Sequence, residues 1–89
     1  MLEAFHRMWE IVEQPRFATE LRALVSNPVR ADDFVDGAKT ALARNPQLGT
    51  KIGKSIWFLP MGVGTLSIYY RFDEHKVYLE SIRSSKAPE

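Results

Sequence analysis

The stretch that most restricts the fold is residues 65–72, where Leu66, Ile68, Tyr70 and Phe72 alternate strictly with Ser67, Tyr69 and Arg71. Successive side chains of a strand leave opposite faces, so a period of two fits a strand with one buried face and excludes an amphipathic helix. Asp73-Glu74-His75 follows as a tight polar turn, and residues 77–83 return as the partner strand. Residues 56–61 form a short, nearly all-apolar run, turned back by Gly62-Val63-Gly64, and add a third strand. A three-stranded antiparallel meander of this kind leaves one apolar face, which the rest of the chain has to cover.

Helical spacing supplies the cover. Phe17, Leu21, Leu24 and Val25 fall at i, i+4, i+7 and i+8, which predicts a short amphipathic helix over residues 16–25, broken by Ser26-Asn27-Pro28. A second helix is expected from residue 29 or 31 to residue 44. Its stripe is Phe34, Val35, Ala38, Ala41 and Leu42, with Asp32, Asp33 and Asp36 in its first turns, where carboxylates favour the helix dipole. Asn45-Pro46 stops it, and Gly49 marks the following turn. The first twelve residues fit either a helix (Leu2, Phe5, Trp9, Val12) or a strand. A strand over residues 9–13 is preferred, because Trp, Ile and Val favour strands and Gln14-Pro15 gives a break. Residues 1–7 then form an N-terminal extension. The expected fold is α+β, in the order β-α-α-β-β-β: two N-terminal helices packed on a small twisted antiparallel sheet. With 89 residues, 45% of them hydrophobic, the chain holds one core and is read as a single domain over 1–89.

The absence of cysteine excludes a disulfide framework, thiolate metal sites and a cysteine nucleophile, and makes the cytoplasm the default compartment. No apolar run approaches the roughly 18 residues a spanning helix needs, and Glu3, His6 and Arg7 stand where a signal peptide would be apolar. No membrane partner is expected. Twelve Lys and Arg against eleven Asp and Glu give a formal charge of +1, so total charge points to no polyanionic partner. The distribution is uneven, however: Lys51, Lys54, Arg71, Lys76, Arg83 and Lys86 face only Asp73, Glu74 and Glu80 within residues 51–86.

Most apparent motifs dissolve on inspection. Glu3, His6 and Glu10 make a common surface pattern and not a metal site, so no metal and no cofactor is expected. Gly62-Val63-Gly64 lacks the third glycine and following helix of a phosphate loop. The serines have no His and Asp partners at a readable spacing, and His75 sits in a polar turn. Tyr69 is different, because it shares its strand face with Ser67 and Arg71 while the other aromatics read as core. Lys54, Arg71, Arg83 and Lys86 can converge on that face or its rim. Arginine and lysine neutralise phosphate and tyrosine stacks on a base, so the arrangement suits a phosphodiester backbone; the same spacing also fits a solvated sheet face.

Three segments carry a family likeness. They are Leu42-Ala43-Arg44-Asn45-Pro46-Gln47-Leu48-Gly49, Ile56-Trp57-Phe58-Leu59, and Ile68-Tyr69-Tyr70-Arg71-Phe72-Asp73-Glu74-His75-Lys76-Val77-Tyr78-Leu79. With Trp9 to Phe17 as first strand and helix start, this order of elements resembles the RelE/ParE superfamily of toxins from type II toxin-antitoxin modules. The resemblance implies a plasmid-stabilisation type of toxin held inactive by a cognate antitoxin, with operator DNA bound only through the antitoxin complex. RelE-like members enter the ribosome and cleave mRNA without metal, whereas ParE-like members inhibit DNA gyrase and are not enzymes. Where RelE-like nucleases place strand lysines, this chain has Phe58 and Pro60, and where many members place an arginine it has Ser67. The resemblance therefore leaves Arg71 and Arg83 as catalytic candidates that stabilise phosphorane charge. Lys54 and Lys86 would position phosphate, and Tyr69 would stack on a base. A ribosome-dependent mRNA endoribonuclease is the expected function. Gyrase inhibition, or an inactive toxin fold that only binds antitoxin, are the alternatives.

Overall fold

A computed structural model describes residues 8–61 and 66–84. The expected extension over residues 1–7, the Gly62-Val63-Gly64 turn and Lys86 lie outside the described residues. The elements are β1 (Glu10–Glu13), α1 (Pro15–Leu24), α2 (Pro28–Arg44), a 3-10 turn (Pro46–Leu48), β2 (Thr50–Lys51), β3 (Trp57–Pro60), β4 (Leu66–Phe72) and β5 (Lys76–Ser84). The expected order holds, and β2 is an addition: a two-residue edge strand that pairs Thr50 with Phe58 and Lys51 with Trp57.

Three prolines read as stops are in fact starts. Pro15, Pro28 and Pro46 each open the next helical element, where a missing N–H leaves no intrahelical bond unmade and the fixed φ suits the first turn. Two of them follow a capping asparagine. The Asn27 side chain accepts from the N–H groups of Val29 (3.0 Å) and Arg30 (3.2 Å), and Asn45 accepts from Gln47 N–H (3.1 Å). Each Asn-Pro pair thus satisfies donors that a helix start otherwise leaves orphaned.

The sheet runs in the order β1-β5-β4-β3-β2. Strands β2 to β5 are antiparallel, as expected of the meander. The expectation of a wholly antiparallel sheet is corrected at β1, which lies parallel to β5 from Glu10↔Lys76 to Glu13↔Leu79. Alternation within a strand carries no information about the direction of a distant partner. A parallel pair needs a long crossover, and everything between β1 and β5 serves as one. Phe17 and Leu21 of α1 and Ala31, Val35 and Leu42 of α2 pack on Ile68, Tyr70, Val77, Leu79 and Ile82. Each large member of that set contributes about 1.5–3 kcal/mol by burial.

One irregularity orients the site. Ser67↔Arg83, Ile68↔Ile82 and Tyr69↔Ser81 share one register, but Tyr70 pairs with Leu79, so Glu80 is an extra residue in β5. Such a bulge reverses the alternation beyond it. Val77 and Leu79 face the helices before it and Ile82 after it, which turns Ser81 and Arg83 onto the opposite face with Tyr69.

Candidate functional site

On the face away from the helices, Phe58, Tyr69 and Ser81 form one row across β3, β4 and β5, and Pro60, Ser67 and Arg83 form the next. The rings of Phe58 and Tyr69 lie 5.5 Å apart at 54°. Ser67 does not present its hydroxyl there as expected: it is only 1% exposed, and its Oγ has no hydrogen-bond partner among the described residues. A small side chain on a central strand lies below the level of larger neighbours on both sides.

Strand β1 stops pairing with β5 at Leu79, and α1 runs beside the β5 edge that is left. Glu20 of α1 covers it: one carboxylate oxygen, Oε1, accepts from Ser81 Oγ (2.6 Å) and from the Ile82 N–H (3.1 Å). The other, Oε2, meets Arg16 Nε one turn earlier at 3.3 Å. The Ser81 hydrogen bond is the main influence holding the Glu20 carboxyl below its ordinary value of 4.5; burial opposes it, and the Ile82 N–H and Arg16 reinforce it. Ser81 Oγ in turn accepts from Arg83 Nε at 3.2 Å.

Arg16, Ser81 and Arg83 line a cleft of about 400 Å³ together with Ile56, Tyr69 and Glu80. The structure therefore brings together two of the residues singled out from sequence, Tyr69 and Arg83. Arg71 lies alongside, its Nε 2.7 Å from Glu80 Oε2 and its guanidinium 4.1 Å from the centre of the Tyr78 ring. Lys54 sits in the exposed turn between β2 and β3 and is not among the lining residues. Arg16, Glu20, Glu80 and Ser81 were missed. The apolar spacing Val77, Leu79, Ile82 already breaks alternation at Glu80 and signals the bulge, but nothing near Arg16 or Glu20 announces a contact with residue 81.

The electrostatics are nearly balanced: guanidinium groups of Arg16, Arg71 and Arg83 stand against the carboxylates of Glu20 and Glu80. Arg83 is the one of the three with no ion pair among the described residues, and it is exposed. A guanidinium held at Nε keeps its terminal nitrogens for bidentate recognition of a phosphate. Tyr69 beside it offers a ring face for a base. The described lining contains no His or Lys, and its one carboxylate, Glu80, is tied to Arg71. No group of His, Asp and Glu among the described residues could hold a metal, and no described helix is long and apolar enough to cross a membrane. A second, larger groove of about 570 Å³ lies at the tip of the helix hairpin, lined by Leu24, Val25 and Phe34 with Arg30 and Asp33.

No protein-family model matches this sequence, and no curated protein matches it. Solved structures do. A chain of the toxin-antitoxin complex RelBE2 from Mycobacterium tuberculosis superposes with a TM-score of 0.69 at 20% identity, over 89% of this chain and 94% of that one. A chain of the chromosomal ParDE toxin-antitoxin system from P. aeruginosa superposes with a TM-score of 0.67 at 12% identity, over 90% and 99%. The chain has a RelE/ParE-like toxin fold, an α+β arrangement of two helices on a five-stranded mixed sheet.

Proposed function

We propose that this protein is the toxin component of a type II toxin-antitoxin module, neutralised by a cognate antitoxin, and that its cleft takes an RNA backbone. The fold supports the first part, because its solved neighbours come from toxin-antitoxin complexes and align over about nine tenths of the chain. The second part rests on one observation: Arg83, with no ion pair among the described residues, stands beside Tyr69 in a cleft otherwise built from compensated charges.

In metal-independent cleavage the ribose 2′-hydroxyl gives its proton to water and attacks phosphorus, a pentavalent phosphorane forms, and the P–O5′ bond breaks as the 5′-oxygen takes a proton from water, leaving a 2′,3′-cyclic phosphate and a 5′-hydroxyl. Arg83 is placed to bind the phosphorane oxygens, and Arg16 can add charge from the cleft wall. Arg71 is also held at Nε, but by the Glu80 carboxylate, which offsets its charge; Arg83 is therefore the leading catalytic candidate and Arg71 secondary. Lys54, and Lys86 outside the described residues, keep the phosphate-positioning role that the resemblance implies. The ribosome with its mRNA is the proposed target.

The ParE-like alternative, a protein that binds DNA gyrase without catalysis, has its own support. Two of the three guanidiniums in and beside the cleft are already paired, and the hairpin groove exposes Leu24 (42%) near Val29 (69%). Pulse labelling after induced expression without antitoxin separates the readings. Methionine incorporation falling first fits the ribosomal nuclease, and thymidine incorporation falling first fits gyrase. Unimpaired growth would leave a toxin fold that only binds antitoxin.

A further inference from the structure

We infer that Glu20 is a positioning residue for Arg83, acting through Ser81 and the β5 bulge; this rests on the reading of the cleft as an RNA site. The argument is geometric. Were Glu80 an ordinary alternating member of the strand and not an extra residue, alternation from Val77 and Leu79 would aim residues 81 and 83 at the helices. The bulge puts Arg83 into the cleft, and a bulge at a free strand edge needs something to hold it.

Glu20 does so from another element. Its Oε1 accepts both the Ser81 hydroxyl and the Ile82 N–H, the two donors immediately after the extra residue. Because the Ser81 proton is committed to Glu20, the Ser81 oxygen lone pairs are left to accept from Arg83 Nε. The chain Glu20, Ser81, Arg83 thus fixes the cleft guanidinium that has no ion pair among the described residues, and fixes it by its Nε. Both bonds that lock the bulge fall on Oε1, so the glutamate charge matters less than its acceptor: a glutamine can replace it, whereas alanine cannot.

The test reads Arg83 directly. In ¹⁵N-edited spectra of the whole protein, the Arg83 Nε–Hε signal, assigned by its loss in Arg83→Lys, is expected to be shifted from those of exposed arginines and slow to exchange with water. Glu20→Gln should keep that signature, whereas Ser81→Ala and Glu20→Ala should collapse it onto the exposed set. Ser81→Ala leaves the Glu20 contact to Ile82 N–H in place, so it remains informative if Glu20→Ala fails to fold. In parallel, a short single-stranded RNA should bind Ser81→Ala on the order of threefold to tenfold more weakly than the parent and Glu20→Gln nearly as well. An unchanged Arg83 signal in Ser81→Ala overturns the positioning role whatever the RNA result. If the signals behave as expected but the parent binds no RNA, the positioning role stands and the reading of the cleft as an RNA site falls.

Discussion

Tyr70 joins the sheet to the segment that follows α2. Its fully buried hydroxyl donates to the Pro46 carbonyl at 2.6 Å and accepts from the Gly49 N–H at 3.0 Å. Tyr70→Phe keeps the ring and strands both backbone groups, so a loss of about 1–3 kcal/mol is expected in urea unfolding. Gly49 serves the same junction by having no side chain. A Cβ there would lie 2.5 Å from the Phe58 carbonyl oxygen and 2.7 Å from the Tyr70 hydroxyl, and Gly49→Ala should cost about 1–3 kcal/mol through forced displacement. Acid sensitivity is also set by single residues. Glu20 and Asp73 have carboxyls held below their ordinary values of 4.5 and 3.8, Glu20 chiefly by Ser81 and Asp73 chiefly by the His75 N–H. A lowered folded value means that the stabilisation is present above the unfolded value and is lost as pH falls through the folded one. Unfolding followed from neutral pH into the acid range should therefore show stability falling below about pH 4.5, and Glu20→Gln should flatten that fall.

At the scale of elements, β5 is two half-strands of opposite parity joined at Glu80. Deleting Glu80 would leave Ser81, Ile82 and Arg83 on their present faces, whereas inserting one residue after Glu80 shifts the register and would send Ile82 outward and Ser81 and Arg83 toward the core. Burying a guanidinium without a partner while exposing an isoleucine is expected to abolish cooperative thermal unfolding followed by circular dichroism. A retained, cooperative transition would mean that the bulge absorbs a second residue without changing the faces of Ser81 to Arg83. The helices depend on short signals that the sequence states plainly. Asn27 and Asn45 cap, and the prolines after them start, which is why boundaries shifted by only a residue or two while the meaning of each proline reversed. A proline tells where regular hydrogen bonding changes; whether it closes one element or opens the next depends on which neighbour supplies the acceptors.

Over the whole molecule, the cleft and the helix-hairpin groove are separate surfaces with no lining residue in common. On the function proposed above, with action at the cleft and antitoxin contact at the hairpin groove, the two should be separable by mutation. Arg83→Ala is expected to abolish most growth arrest on induced expression while co-purification with the antitoxin persists. Toxicity equal to the parent's would remove Arg83 from the mechanism. Leu24 and Val29, both exposed, are where a lost antitoxin or protein-target contact should show instead.

The sequence by itself determined the elements and their faces. Alternation from Leu66 to Phe72, helical spacing from Phe17 to Val25 and from Phe34 to Leu42, and the Asn-Pro pairs are local patterns, and local patterns survive in one dimension. It also put Tyr69 and Arg83 forward as site residues, because strand parity and charge can be read in order. Only the tertiary structure decided that β1 lies parallel to β5, that Ser67 is buried, that Arg71 is taken up by Glu80 and Tyr78, that Arg16 lines the cleft, and that Glu20 holds Ser81 there. The physical reason is that each of these depends on a side chain's neighbours across strands or from another element. Glu20 and Ser81 are 61 positions apart in the chain and 2.6 Å apart in space, and no periodicity connects them.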